Sequence, residues 1–184
     1  MSALTEAVIK NDIAKVHELL LQPDIKIDEK DDNHNTALIL SALHGYTEIT
    51  LALIAAGARL DEKDNQLNTA LIWAASNGNT NIVKALISKG AELDEKDDQL
   101  NTALICAVRK GHTASAEALI IAGAKLDEKS NEGKSALDYA REANHTKIIK
   151  AIEDRLKVNQ QINNGMPTRK EVSMPKKITF RLGQ

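Results

Sequence analysis

The chain has 184 residues, a formal net charge of −2, and 42% hydrophobic but only 2% aromatic residues, so its core must be built from Leu, Ile and Ala, which favour helices over strands. Residues 1–154 carry 17 Lys and Arg against 25 Asp and Glu, a net −8, whereas residues 155–184 carry 7 against 1, a net +6; an acidic body argues against nucleic-acid binding by that part. The single cysteine, Cys106, excludes an intramolecular disulfide and fits a reducing compartment, and the apolar runs are too short to span a bilayer.

The first segment, MSALTEAVIKND, lacks the basic-then-apolar order of a secretory signal. It opens a unit of about residues 2–34 with Pro23 near the end of a second helix. Glu6 and Lys10 stand where later units are apolar, which predicts an end cap. From residue 27 a phrase recurs: IDEKDDNHNTALI at 27–39, LDEKDNQLNTALI at 60–72 and LDEKDDQLNTALI at 93–105. Asp28, Asp61, Asp94 and Asp127 follow one another at a step of 33, as do Asn35, Asn68 and Asn101. A fixed period of this size signals a solenoid of stacked units.

Units two to four start at Asn35, Asn68 and Asn101 (35–67, 68–100 and 101–133), and a fifth, 134–155, at Lys134. Within residues 68–100, Thr69 is expected to cap a short Ala-rich helix, ALIWAAS, that ends at Gly78. Thr80 is expected to cap a second helix, with Ile82, Val83, Leu86 and Ile87 on one face, and Gly90 ends it. Such short helices are unstable alone and must stack on copies of themselves. The fifth unit ends EDRLK where inner units have Gly-Ala, so it too reads as a cap. The repeat domain is thus expected over residues 1–155, all-α, followed by a basic tail, 156–184. In that tail, residues 159–167 read as a polar linker. KKITFRL alternates, placing Ile178, Phe180 and Leu182 on one side of a strand-like segment. These three are expected to dock on the body, in the same chain or in a second copy, unless the tail is a free basic motif read by another partner.

The unit NTALIWAASNGNTNIVKALISKGAELDEKDDQL resembles an ankyrin repeat, whose pattern is Thr-Pro-Leu-His, Ala-Ala, Gly-His, an Ile/Val-Val pair, Leu-Leu and Gly-Ala. The resemblance covers residues 2 to about 155 and implies a helix-turn-helix solenoid with projecting finger loops. Thr-Pro-Leu-His is replaced by Thr-Ala-Leu-Ile, which gives up some preorganisation of the first turn and exchanges a polar link for apolar burial. The finger tip, usually Gly in the family, is His34, Leu67, Leu100 and then Gly133. Leucine tolerates positive φ poorly, so reshaped turns are expected at 67 and 100.

Catalytic chemistry finds little footing. The five histidines show no ligand spacing, and His112 and His145 sit at the structural Gly-His position. No metal, cofactor or enzymatic activity is expected. Cys106 occupies the place of Leu40, Trp73 and Tyr139 in other units and reads as a packing thiol. DEKD lacks the alternating oxygen ligands of a calcium loop. Stacked about 10 Å apart, its columns of Asp, Glu and Lys are expected to neutralise each other across repeats.

Positions that vary between units are not required for stacking and are free for recognition. At the inner-helix ends these are Leu43 and His44, Ser76 and Asn77, Arg109 and Lys110, Glu142 and Ala143. One turn earlier stand Trp73 and Tyr139, either packing residues or interface anchors. Leu67 and Leu100 are expected to be exposed on adjacent fingers, as a contact site, unless they fold back onto the connector. The resemblance implies that these helix ends and fingers line a concave groove that grips a protein partner. The expected function is therefore protein recognition in the cytoplasm, with self-association through the tail as a further option. Asn-, Lys- and Ile-rich usage is similar to that of bacterial ankyrin proteins, some secreted into host cells. That similarity implies the alternative of an adaptor or secreted effector whose basic tail is the active or targeting element.

Overall fold

Thr36, Thr69 and Thr102 each cap a short helix, and their hydroxyls accept hydrogen bonds from the backbone N–H of Ile39, Ile72 and Ile105. Ser135 does the same in a capping box with Asp138. These caps start four of the ten helices in the computed structural model, which describes residues 2–163. The helices are α1 (Ala3–Ile9), α2 (Ile13–Leu20), α3 (Ala37–His44), α4 (Thr47–Ala55), α5 (Ala70–Ser76), α6 (Thr80–Ser88), α7 (Ala103–Arg109), α8 (Thr113–Ala122), α9 (Ala136–Glu142) and α10 (Thr146–Asn163). Odd-numbered helices pack on one another in one row, and even-numbered helices form a second row against it. Among the described residues there is no strand, only one isolated bridge between Lys129 and Ser135.

The inner row is a column of identical residues. Ala37, Ala70, Ala103 and Ala136 are buried, as are Leu38, Leu71 and Leu104. Ile39, Ile72 and Ile105, where the family pattern has His, are buried as well, so apolar packing does take the place of the polar link. Small Ala side chains let the inner helices approach closely, while Leu and Ile fill the space between rows, each worth about 1.5–3 kcal/mol on burial.

Three ladders tie the fingers together. Asp28, Asp61 and Asp94 each accept a hydrogen bond from the backbone N–H of the next unit, at Arg59, Glu92 and Lys125 (2.8–2.9 Å). The backbone carbonyls of Asn33, Gln66 and Gln99 accept from the N–H of Asn65, Asp98 and Asn131. Lys30, Lys63 and Lys96 pair with Glu62, Glu95 and Glu128 of the following unit. The hydrogen bonds from Lys30 and Lys96 hold the carboxyls of Glu62 and Glu128 below the usual carboxylate range. The cross-repeat neutralisation expected from DEKD is therefore present, as partly exposed pairs of small individual worth.

The finger tips depart from expectation. His34, Leu67 and Leu100 hold φ near +60°, like Gly133 at +73°, so the leucine turns are not reshaped. The reason lies three residues upstream. Asp64 Oδ1 accepts from the backbone N–H of Gln66 and Asn68, and Asp97 Oδ1 from Gln99 and Asn101. These bonds pin the loop and outweigh the left-handed cost of about 1–2 kcal/mol. Leu67→Gly and Leu100→Gly should each raise stability by about 0.5 kcal/mol, since relief of strain exceeds the added chain entropy. Urea midpoints of the two variants check this.

Two further expectations change. Thr80 is the first residue of α6, not its cap; its hydroxyl bonds the Gly78 carbonyl and lies 2.9 Å from the Ser115 hydroxyl. Helix α10 runs to Asn163, past the expected boundary at 155 and through the first part of the expected linker. Ile148 and Ile152 anchor it against the last inner helix, and the helix continues in register beyond them. Ile178, Phe180 and Leu182 lie outside the described residues.

Candidate functional site

In units three to five an inner-helix residue faces the residue nine positions earlier, at the base of the preceding unit's finger. In unit three, Trp73 Nε1 donates to Asp64 Oδ2 at 2.8 Å. In unit five, the Tyr139 hydroxyl lies 2.8 Å from Ser130 Oγ. Leu40 closes the same place in unit two by packing and is buried. Unit four has Cys106, shorter than either ring, opposite the largely buried Asp97. A cleft of ≈ 290 Å³ opens there, between the fingers of units two and three and the inner helices of units three and four.

The cleft brings together Trp73, Ser76, Arg109 and Lys110, four of the variable positions, and adds Gln66, Asp97, Asp98 and Gln99. Ile72 and Cys106 give it an apolar floor. Arg109 and Lys110 are exposed at its rim. The Arg109 guanidinium donates to Asn101 Oδ1 at 3.3 Å and lies 5.2 Å from the Tyr139 ring centroid. Burial, with Asp97 adding to it, pushes the Cys106 thiol up to about 12. The thiol therefore stays protonated at neutral pH and serves packing, not nucleophilic chemistry.

The other variable positions lie apart from this cleft. Of the two readings open for Tyr139, its burial favours packing: it is 8% exposed, with Arg109 and Lys134 over its ring. Glu142 is exposed and paired with Lys134 at 2.9 Å. Leu43 is half-buried, His44 stacks on Tyr46, and Asn77 donates to the Leu43 carbonyl at 2.8 Å. Leu67 and Leu100 are 46% and 47% exposed, on adjacent fingers. Their neighbours Gln66 and Gln99, not the leucines, line the cleft. Variation between repeats could not reveal Asp97 or Asn101, because Asp64 and Asn68 stand at the same positions one repeat earlier. The signal that finds Asp97 is the nine-residue offset from Cys106, the short side chain in the column of Leu40, Trp73, Cys106 and Tyr139.

The ends of the inner helices are locked by the following unit. His112 Nε2 lies 3.1 Å from the Ser76 carbonyl oxygen, and Asn79 Nδ2 donates to the Ala42 carbonyl. Gly-His is thus a link between units, as expected from its position. The family model for ankyrin repeats (3 copies) matches residues 4–97 and 93–163. The chain belongs to the ankyrin repeat family. Ankyrin repeats are in general protein–protein interaction modules and typically not enzymes. No curated protein matches the chain. Among the described residues, no group of three or more His, Cys, Asp or Glu is placed to hold a metal ion, and no helix is long and apolar enough to cross a membrane.

Proposed function

We propose that this ankyrin stack binds a partner protein at the cleft beside Cys106, with the fingers of units two and three as its wall. The observation that carries this reading is the break in the finger-base column. Units two, three and five fill the position with Leu40, Trp73 and Tyr139, whereas unit four leaves it open under Arg109 and Lys110. The cleft offers an apolar floor, the Trp73 ring, two carboxylates and two cations, a mixture suited to one inserted side chain with polar contacts at its rim. The stack is preassembled, so binding loses little conformational entropy.

Cys106→Trp should fill the cleft as Trp73 fills unit three. Arg109→Glu should reverse charge at the rim. Each bait is expected to capture the partner of the native chain about tenfold less well or worse, with helical content unchanged by circular dichroism. Equal capture by native and both variant baits would overturn the reading. If capture is lost only on removing the +6 tail, the recognition element is the tail, as in an adaptor or secreted effector.

A further inference from the structure

Ile121 is the last large side chain of α8 and is 78% exposed. The equivalent positions, 33 residues apart, hold Ala55, Ser88 and Asp154, so the repeat itself does not require an apolar residue there. Two clefts meet at Ile121. One, of ≈ 410 Å³ between α8 and α10, has Ile120, Ala151 and Val158 in its lining, with Glu117 and Asp154 beside them. The other, of ≈ 280 Å³ between α6 and α8, has Ile87 and Ala118. They lie on the outer helices, away from the cleft at Cys106.

We propose that the chain's own C-terminal segment, residues 176–182, covers these two clefts in cis. The described chain stops at Asn163, five residues and about 7.5 Å along α10 from Val158. Residues 164–175 add up to about 40 Å of reach, so a return to Ile121 is within the tether. Ile178, Phe180 and Leu182 alternate with polar residues, so an extended segment turns all three to one side. Ile178 and Leu182 are then about 13 Å apart, close to the spacing of about 10 Å between neighbouring helices. Phe180, the chain's one phenylalanine, falls between them, over Ile121. Lys176, on the same side of the extended segment as Ile178, meets Glu117 or Asp154 at the rim, while Lys177 and Arg181 face away from the body. Lys84 and Arg155 also line the clefts, so the apolar contact carries the match and the charges orient it.

A single phenylalanine gives a direct readout. Full-length chain labelled with fluorophenylalanine has one fluorine signal, from Phe180. The signal is expected away from its position in the urea-unfolded chain and independent of protein concentration. Ile121→Glu, a substitution at an exposed site, should return it to the unfolded position and speed amide exchange over residues 178–182 by about tenfold or more. Phe180→Ser should in turn shift the Ile121 and Val158 methyl resonances. A signal already at the unfolded position, or one indifferent to Ile121→Glu, overturns the proposal. A signal that shifts only as concentration rises also overturns it, in favour of a second copy as the occupant.

Discussion

Asp64→Ala is expected to lower the free energy of unfolding by about 3 kcal/mol, read as a fall in urea midpoint at unchanged m-value. The carboxylate accepts from the backbone N–H of Gln66 and Asn68, from Asn68 Nδ2 and from Trp73 Nε1. Asp64 and Asn68 are both buried, so the stranded donors cannot all reach water. The tip also relies on these bonds, since Leu67 holds φ +60° without the freedom of glycine. Asp64→Asn keeps an acceptor for the backbone but turns an amide N–H toward the indole, and should cost about half as much. Trp73→Phe removes the indole donor alone. Combined with Asp64→Asn it should be less than additive, because both changes act on one bond. Full additivity would assign the Trp73 contribution to packing alone.

Gly78→Ala should cost about 2–3 kcal/mol, and Gly90→Ala no more than about 1–2 kcal/mol. Both glycines have positive φ, +70° and +86°, so both substitutions pay the left-handed strain. A Cβ at Gly90 meets open space, whereas a Cβ at Gly78 comes within 2.6 Å of His112 Nδ1. The imidazole must move, and its contact with the Ser76 carbonyl is lost with it. Thermal unfolding of the two variants checks the difference. His112→Ala in the Gly78→Ala background should recover part of the loss by removing the clash. Equal destabilisation at the two glycines would show that His112 adapts freely.

The fold was legible because its signals are local and repeated. Thr36, Thr69 and Thr102 announce helix starts, glycine marks their ends, and the 33-residue step forces the units to stack. The misread details depend on partners far along the chain or three residues away. A leucine at +60° is implausible by its own propensity, and only the hydrogen bonds to Asp64 and Asp97 make it tenable. Thr80 has the composition of a cap, yet its hydroxyl is taken by the Gly78 carbonyl and the neighbourhood of Ser115 in the next unit. The candidate site was half legible. Variation singled out Trp73, Ser76, Arg109 and Lys110, which do line one cleft. The same criterion overrated Tyr139, because a varying residue can still be buried when its partner varies with it: Trp73 faces Asp64, and Tyr139 faces Ser130.

The finger ladders have an evolutionary corollary. Each ladder repeats one donor–acceptor pairing from unit to unit. Cut out residues 68–100, and Asp61 would face the backbone N–H of Lys125, Lys63 the carboxylate of Glu128, and the Gln66 carbonyl the N–H of Asn131. Leu71 would be gone, but Leu38 would meet Leu104. Every broken rung is replaced by an equivalent one, so loss or duplication of a whole cassette leaves the finger ladders satisfied. The recombination that copies such genes can therefore change the length of the protein, and with it the set of side chains along its fingers, without first solving a folding problem.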